Sequence, residues 1–177
     1  MTKAKSLIGK KSELLQAQNV FSDISIQNIK QWTKKELLKY RNKPVVIPCG
    51  DYGFFVGKFI VQGIQADCWE IRQFDDRLIG QFMDKKTAIL YSLLLMTNRY
   101  EQAEEIHEAD TKLARSKQDL IFYQNSINHA KKRGDKTKLL ILLNRYIDTK
   151  LKCRTYSNYL KKTLNSAKYL NFGNKPL

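Results

Sequence analysis

The sequence predicts an α+β protein: a small antiparallel β-meander backed by a buried helix, followed by a long antiparallel αα-hairpin of coiled-coil character. Three observations carry this reading. Residues 45–83 break into short runs rich in β-branched and aromatic residues. The stretch that starts at Lys85 is apolar nearly all round. Beyond Tyr100, two long segments repeat apolar residues every seven positions and are split by a single Gly-Asp.

Residues 1–43 read as a basic, partly helical extension. Leu14, Leu15, Val20 and Phe21 suit a weak docking helix, and Ile26, Ile29 and Trp32 suit another helical turn. Thr33 and Glu36 have capping-box spacing, so a short helix should run to about Arg41 and stop before Pro44.

Residues 44–99 read as the meander plus its helix. The runs "VVIPCG", "GFFVGKFIVQ", "CWEIRQF" and "RLIGQFM" are separated by "DYG", "GIQAD" and "DD". Trp69 and Ile71 fall on one face and Glu70 and Arg72 on the other, the alternation of a sheet with one covered and one wet side. Asp75-Asp76 supplies a turn, and Asp84 stands where an N-cap belongs. Ile89, Leu90, Leu93, Leu94, Leu95 and Met96 then make a helix buried on several sides.

Residues 100–170 read as the αα-hairpin, with its tip near 133–135 and a loose tail at 171–177. Ile106, Leu113, Leu120 and Ile127 lie seven apart, and Ala103, Asp110, Lys117 and Gln124 are assigned to the other seam column. Glu101, Glu104, Glu105 and Glu108 near the start of this helix, and Lys131, Lys132 and Arg133 at its end, complement the helix dipole. Gly134 suits a left-handed helix end and Asp135 an N-cap. The second helix has a seam of Leu139, Leu143, Tyr146, Cys153, Leu160, Leu164 and Ala167. Leu140, Ile147 and Leu151 form a second flank in its first half, where the helix should touch two neighbours.

The formal net charge is +15 and it is placed unevenly: residues 131–177 carry thirteen Lys/Arg against two carboxylates, while residues 51–130 carry nine against twelve. Such a chain is drawn to polyanions. The candidate contact residues are Lys131, Lys132, Arg133, Lys136, Lys138, Arg145, Lys150, Lys152, Arg154, Lys161 and Lys168. Lys138, Arg145 and Lys152 repeat every seven residues on one edge, and Lys150, Arg154, Lys161 and Lys168 make a stripe on a different side.

Several functional classes lack their residue patterns. Three cysteines without CxxC spacing and two histidines suit reduced thiols rather than a disulfide framework or a zinc site. In "EEIHEAD", Thr111 occupies the place of the second His of a zinc helix, and His129 near a helix end is accounted for by the dipole. The glycines of "GDYGFFVGKF" fit neither a P-loop nor a dinucleotide turn. Neither a secretory h-region nor a membrane-length apolar run occurs, since Ala88–Met96 is interrupted by Tyr91 and Ser92. The expectation is a non-enzymatic protein without cofactor or metal, and without a membrane partner.

The order "GKFIV", "ADCWEIR", "IGQF", "KKTAIL" over residues 55–97 resembles AP2-type and phage-integrase arm-type DNA-binding domains, in which a sheet face enters the major groove. That resemblance implies Lys58, Arg72, Arg77 and Gln81 as the reading face, beside Glu70, Asp75 and Asp76. Over residues 52–172, "FVGKF", Trp69, "FMDKKTAILY", "FYQN" and "LNSAKYL" are similar to uncharacterised small proteins of large tailed phages of marine bacteria. This implies a role in the cytoplasm of an infected host or in the virion. The functional expectation is therefore a binding protein whose basic helical surface contacts nucleic acid or an acidic protein without reading sequence. The alternative is an assembly protein that associates through its hairpin, with itself or with a partner.

Overall fold

The computed structural model describes residues 37–49 and 53–167. The Thr33–Glu36 capping box, the helix assigned to residues 14–21, Lys168 and the 171–177 tail lie outside the described residues. At Leu37 the chain makes a helical turn that dissolves into tight turns through Lys43, just ahead of Pro44.

Among the described residues, five strands form one antiparallel sheet in sequence order: β1 (Val46–Pro48), β2 (Gly53–Val56), β3 (Phe59–Gln65), β4 (Cys68–Gln73) and β5 (Leu78–Phe82). The run "GFFVGKFIVQ" is two strands rather than one. Val56 pairs with Phe59 across Gly57-Lys58, and Gly57 takes φ +58°. A positive φ at the first central residue alone is the pattern of a tight hairpin turn that places Gly first. The chain reverses again at Ala66-Asp67, and the reversal between β4 and β5 turns on Asp76, in left-handed conformation at φ 66°, beside Asp75.

Pairing registers sort the two faces. Phe54, Val56, Phe59, Val61, Ile71 and Phe82 share one side and are buried. Trp69 belongs to it and packs across Gly63, where an added Cβ would meet the indole at 3.2 Å. Helix α1 (Lys85–Met96) covers this side: the Phe82 and Tyr91 rings lie 4.9 Å apart, and Lys85 sits over the Phe54 ring. Its burial from Thr87 to Leu94 matches the all-round apolar sequence. Asp84 caps it, accepting from the Thr87 amide at 3.0 Å. Asn98 ends it in left-handed conformation, with the Arg99 amide donating back to the Leu94 carbonyl at 2.9 Å.

Two long helices follow, α2 (Tyr100–Arg133) and α3 (Lys136–Ala167), packed antiparallel as a hairpin. Gly134 at φ +69° closes α2: its amide donates to the Lys131 carbonyl and that of Asp135 to the Ala130 carbonyl, both at 3.2 Å. Asp135 then caps α3, accepting from the Lys138 amide at 2.9 Å. The chain divides into two compact units, one of residues 107–162 and one containing the sheet, α1, residues 100–106 and residues 163–167. These edges differ from the 99/100 boundary set by composition. The reason is that Ala103, Ile106 and Ala167, although helical, are core residues of the sheet-containing unit.

The seam differs in detail from the sequence assignment. The second column of α2 is Ala109, Ser116, Tyr123 and Ala130, not Lys117 and Gln124, which are exposed; Asp110 is buried beside Ala109. In α3, Leu142 replaces Leu143, and Thr149 and Tyr156 fill the gaps. Apolar neighbours at three and at four residues both sit near one helical face. The small Ala109, Ser116 and Ala130 let the partner helix approach, whereas Lys117 and Gln124 would need solvent.

Two glycine substitutions separate crowding from strain. Gly134→Ala meets nothing within 4 Å, so only its left-handed backbone costs stability, about 1 kcal/mol. Gly57→Ala adds a Cβ against the Met96 side chain and 3.0 Å from the Lys43 carbonyl, and should cost more. Urea unfolding of both variants measures the difference.

Candidate nucleic-acid interface on the helical hairpin

Between residues 37 and 162 the excess positive charge lies in the helical unit. Residues 37–106 hold nine Lys/Arg and nine carboxylates, whereas residues 107–162 hold fourteen against five. Cations on the sheet are largely engaged locally. Arg72 donates to Glu70 Oε2 from Nε at 3.0 Å and from Nη2 at 2.9 Å, and its Nη1 donates to the Asp76 carbonyl at 3.1 Å. Gln81 donates to Glu70 Oε1 at 2.8 Å. Both oxygens of a nearly buried carboxylate are thereby satisfied, and two of the four residues implied as a groove-reading face are committed to it. Lys58 lies over the Phe59 ring and Arg77 is exposed.

The hairpin cations are placed otherwise. Lys131, Lys132, Arg133, Lys136, Lys138, Arg145, Lys150, Lys152, Arg154 and Lys161 are all exposed. Among the described residues none of them has an ion-pair partner; the described pairs include Arg72–Glu70, Arg72–Asp76 and Lys112–Glu108. Lys131, Lys132 and Arg133 stabilise the carbonyl end of α2. Lys136 and Lys138 stand at the amide end of α3, where the dipole opposes them and Asp135 offsets only part of the cost.

Antiparallel pairing turns some of these cations into a site. A groove of about 400 Å³ runs along one flank of the hairpin near its tip. Phe122, Ser126, His129 and Arg133 line it from α2, Asp135 from the tip, and Lys138 and Arg145 from α3, above a floor that includes Tyr123, Ala130 and Leu142; the Asp135 carboxylate is engaged by the Lys138 amide. That floor is continuous with the cluster of Ile127, Ala130 and Leu142. The Phe122 ring is 63% exposed and is braced edge-on by Tyr123 at 5.5 Å. An open aromatic face among three unpaired cations suits a stacked base with flanking phosphates.

The predicted contact residues therefore divide. Arg133, Lys138 and Arg145 line the groove, Lys152 continues their heptad line, and Lys131, Lys132 and Lys136 surround the tip. Lys150, Arg154 and Lys161 project from the opposite flank of α3. Phe122, Ser126 and His129 were not anticipated as site residues. Their 4-3-4 spacing with Arg133 was legible on α2, but the pairing that sets them beside Lys138 and Arg145 was not.

Burial pushes the Cys49 thiol up to about 11, and its Sγ donates to the Ile47 carbonyl. Burial likewise raises Cys153, which is hydrogen-bonded by Ser116 across the seam. Neither is a ready thiolate at neutral pH. Among the described residues, no group of three His, Cys, Asp or Glu is placed to hold a metal ion, and no helix is long and apolar enough to cross a membrane. The chain matches no protein-family model, no curated protein and no solved structure.

The sheet network has a pH signature. The Gln81 amide, ahead of the Arg72 guanidinium, holds the Glu70 carboxyl below the ordinary carboxylate range. A depressed folded-state pKa contributes stability that is present above the unfolded value, about 4.3, and is lost as pH falls through the folded value. Glu70→Gln should flatten this part of the acid limb, read from urea midpoints between about pH 6 and pH 3.

Proposed function

We propose that the protein binds nucleic acid without reading its sequence, through the tip and the grooved flank of the hairpin, and that it favours single-stranded stretches. The observation that carries this reading is the groove itself: Arg133, Lys138 and Arg145 without carboxylate partners among the described residues, beside the exposed Phe122 ring. Electrostatic contact supplies affinity to any phosphate backbone, and stacking is tolerant because every base presents a π-face. The groove combines charge with an aromatic platform, the combination that binds single strands with little sequence preference. The reading is of a binding protein rather than an enzyme. The resemblance to phage proteins extends it to a role inside an infected bacterium or within the virion.

A labelled oligonucleotide titrated by fluorescence anisotropy at several salt concentrations tests the proposal. The logarithm of the binding constant should fall linearly with the logarithm of salt concentration, by about 0.7 per phosphate contact on a single strand. Lys138→Glu with Arg145→Glu should reduce both affinity and slope. Phe122→Ala should weaken single-strand binding by about 1–3 kcal/mol and leave duplex binding little changed. A salt-independent constant, or equal loss from reversing Lys150, Arg154 and Lys161, would overturn the assignment.

A further inference from the structure

The flank of α3 opposite the groove carries a second, different surface. Leu140, Ile147 and Leu151 are 62%, 60% and 64% exposed, and Leu143 beside them is 36% exposed. At 100° per residue these four point the same way, away from the line of Lys138 and Arg145. Sequence alone assigns this flank to a second neighbour, yet among the described residues the hairpin contains none. The four residues occupy three helical turns, about 16 Å. Four large aliphatic side chains in one line exceed the scattered single exposures normal for a surface.

Charge specifies what would cover them. One heptad column of this flank reads Lys136, Leu143, Lys150, and the next reads Leu140, Ile147, Arg154, Lys161. The apolar stretch is thus bracketed by exposed cations at both ends, and neither column contains a carboxylate. Asp148, the acid nearest in sequence, projects to another side. A second copy docking by the same flank would meet these cations with more cations and no carboxylate. Ile141, 51% exposed, widens the apolar surface beside Leu140, but Lys150, Arg154 and Lys161 interrupt the ridge along its own line, where a helix lying on a bilayer would stay apolar.

We propose that this flank is a docking site for an amphipathic helix of a partner protein, with an aliphatic stripe flanked by Glu or Asp. The incoming helix lies along α3 as the third member of a bundle and seats its apolar residues against Leu140, Leu143, Ile147 and Leu151. Its carboxylates reach Lys136, Lys150, Arg154 and Lys161. The nucleic-acid groove on the other flank remains open, so both ligands can be held together.

The full-length chain should be titrated with two labelled synthetic helices that share one Leu stripe, the first with Glu and the second with Lys at the remaining positions. The Glu helix should bind at least about tenfold more tightly than the Lys helix, a difference of about 1.4 kcal/mol. Ile147→Lys with Leu151→Lys should remove that binding while the circular-dichroism melt holds, because both residues are exposed. Lys138→Glu with Arg145→Glu should leave it intact, which separates this site from the groove. Equal binding of the two helices, or of neither, would overturn the proposal. So would adsorption to phosphatidylglycerol vesicles with no helix binding, or a concentration-dependent dimer in sedimentation that Ile147→Lys abolishes.

Discussion

Antiparallel pairing of α2 and α3 across the Gly134–Asp135 reversal is the constraint on which the functional surfaces depend. Gly134 accepts a left-handed backbone that ends one helix, and the Asp135 carboxylate starts the next within a single residue. The connection is short, and the seam residues of the two helices hold them antiparallel. Register then follows from the seam: Ala130 and Ile127 meet Leu142, and Ser116 meets Cys153. Each flank is consequently a composite of two helices. Arg133 and Lys138, five residues apart, line one groove together with Phe122 and Arg145.

The charge pattern acquires meaning against this geometry. Within the sheet, a carboxylate beneath Arg72 and Gln81 shows how this chain treats a cation whose role is structural: it is bonded, partly covered and balanced. The hairpin treats its cations in the opposite way. The candidate contact cations, Lys131 to Arg154 and Lys161, extend into solvent, and two of them stand at the amide end of α3, where the dipole opposes them. Under the proposed function, a bound anion would offset the local cost of Lys136 and Lys138. The seam itself is modest, built from Ala, Ser, Thr and Cys as much as from Leu and Ile, and its buried members keep a few percent of exposure. A two-helix layer has too little depth to close over its own core. That is also why an aliphatic flank on α3 remains available to a third helix.

Much of the fold was legible in the sequence because it is local. The Asp84 cap, the Asp75-Asp76 turn, the Gly134-Asp135 tip and the alternation of Trp69 and Ile71 with Glu70 and Arg72 each depend on neighbours within a few residues. The division of "GFFVGKFIVQ" into two strands was missed, although Gly57 marks it: one glycine inside an apolar run reads equally as a kink or a turn until the pairing is known. One column of α2 and one position of α3 lie a residue away from the sequence assignment for a related reason. Residues three and four apart share a face, and only the partner helix selects between Leu142 and Leu143, or between Ser116 and Lys117.

By itself, then, the amino-acid order determined an α+β chain with a meander, a buried helix and a cationic helical hairpin, since periodicity, caps and turns act over a few residues. Tertiary structure alone decided that the cations fall on two separate flanks, that Phe122 and His129 join one of them, and that Leu140, Ile147 and Leu151 stay uncovered. The physical reason is that a helix presents its residues in every direction at once. Which directions become seam, groove or open ridge is settled only when a second helix occupies one of them.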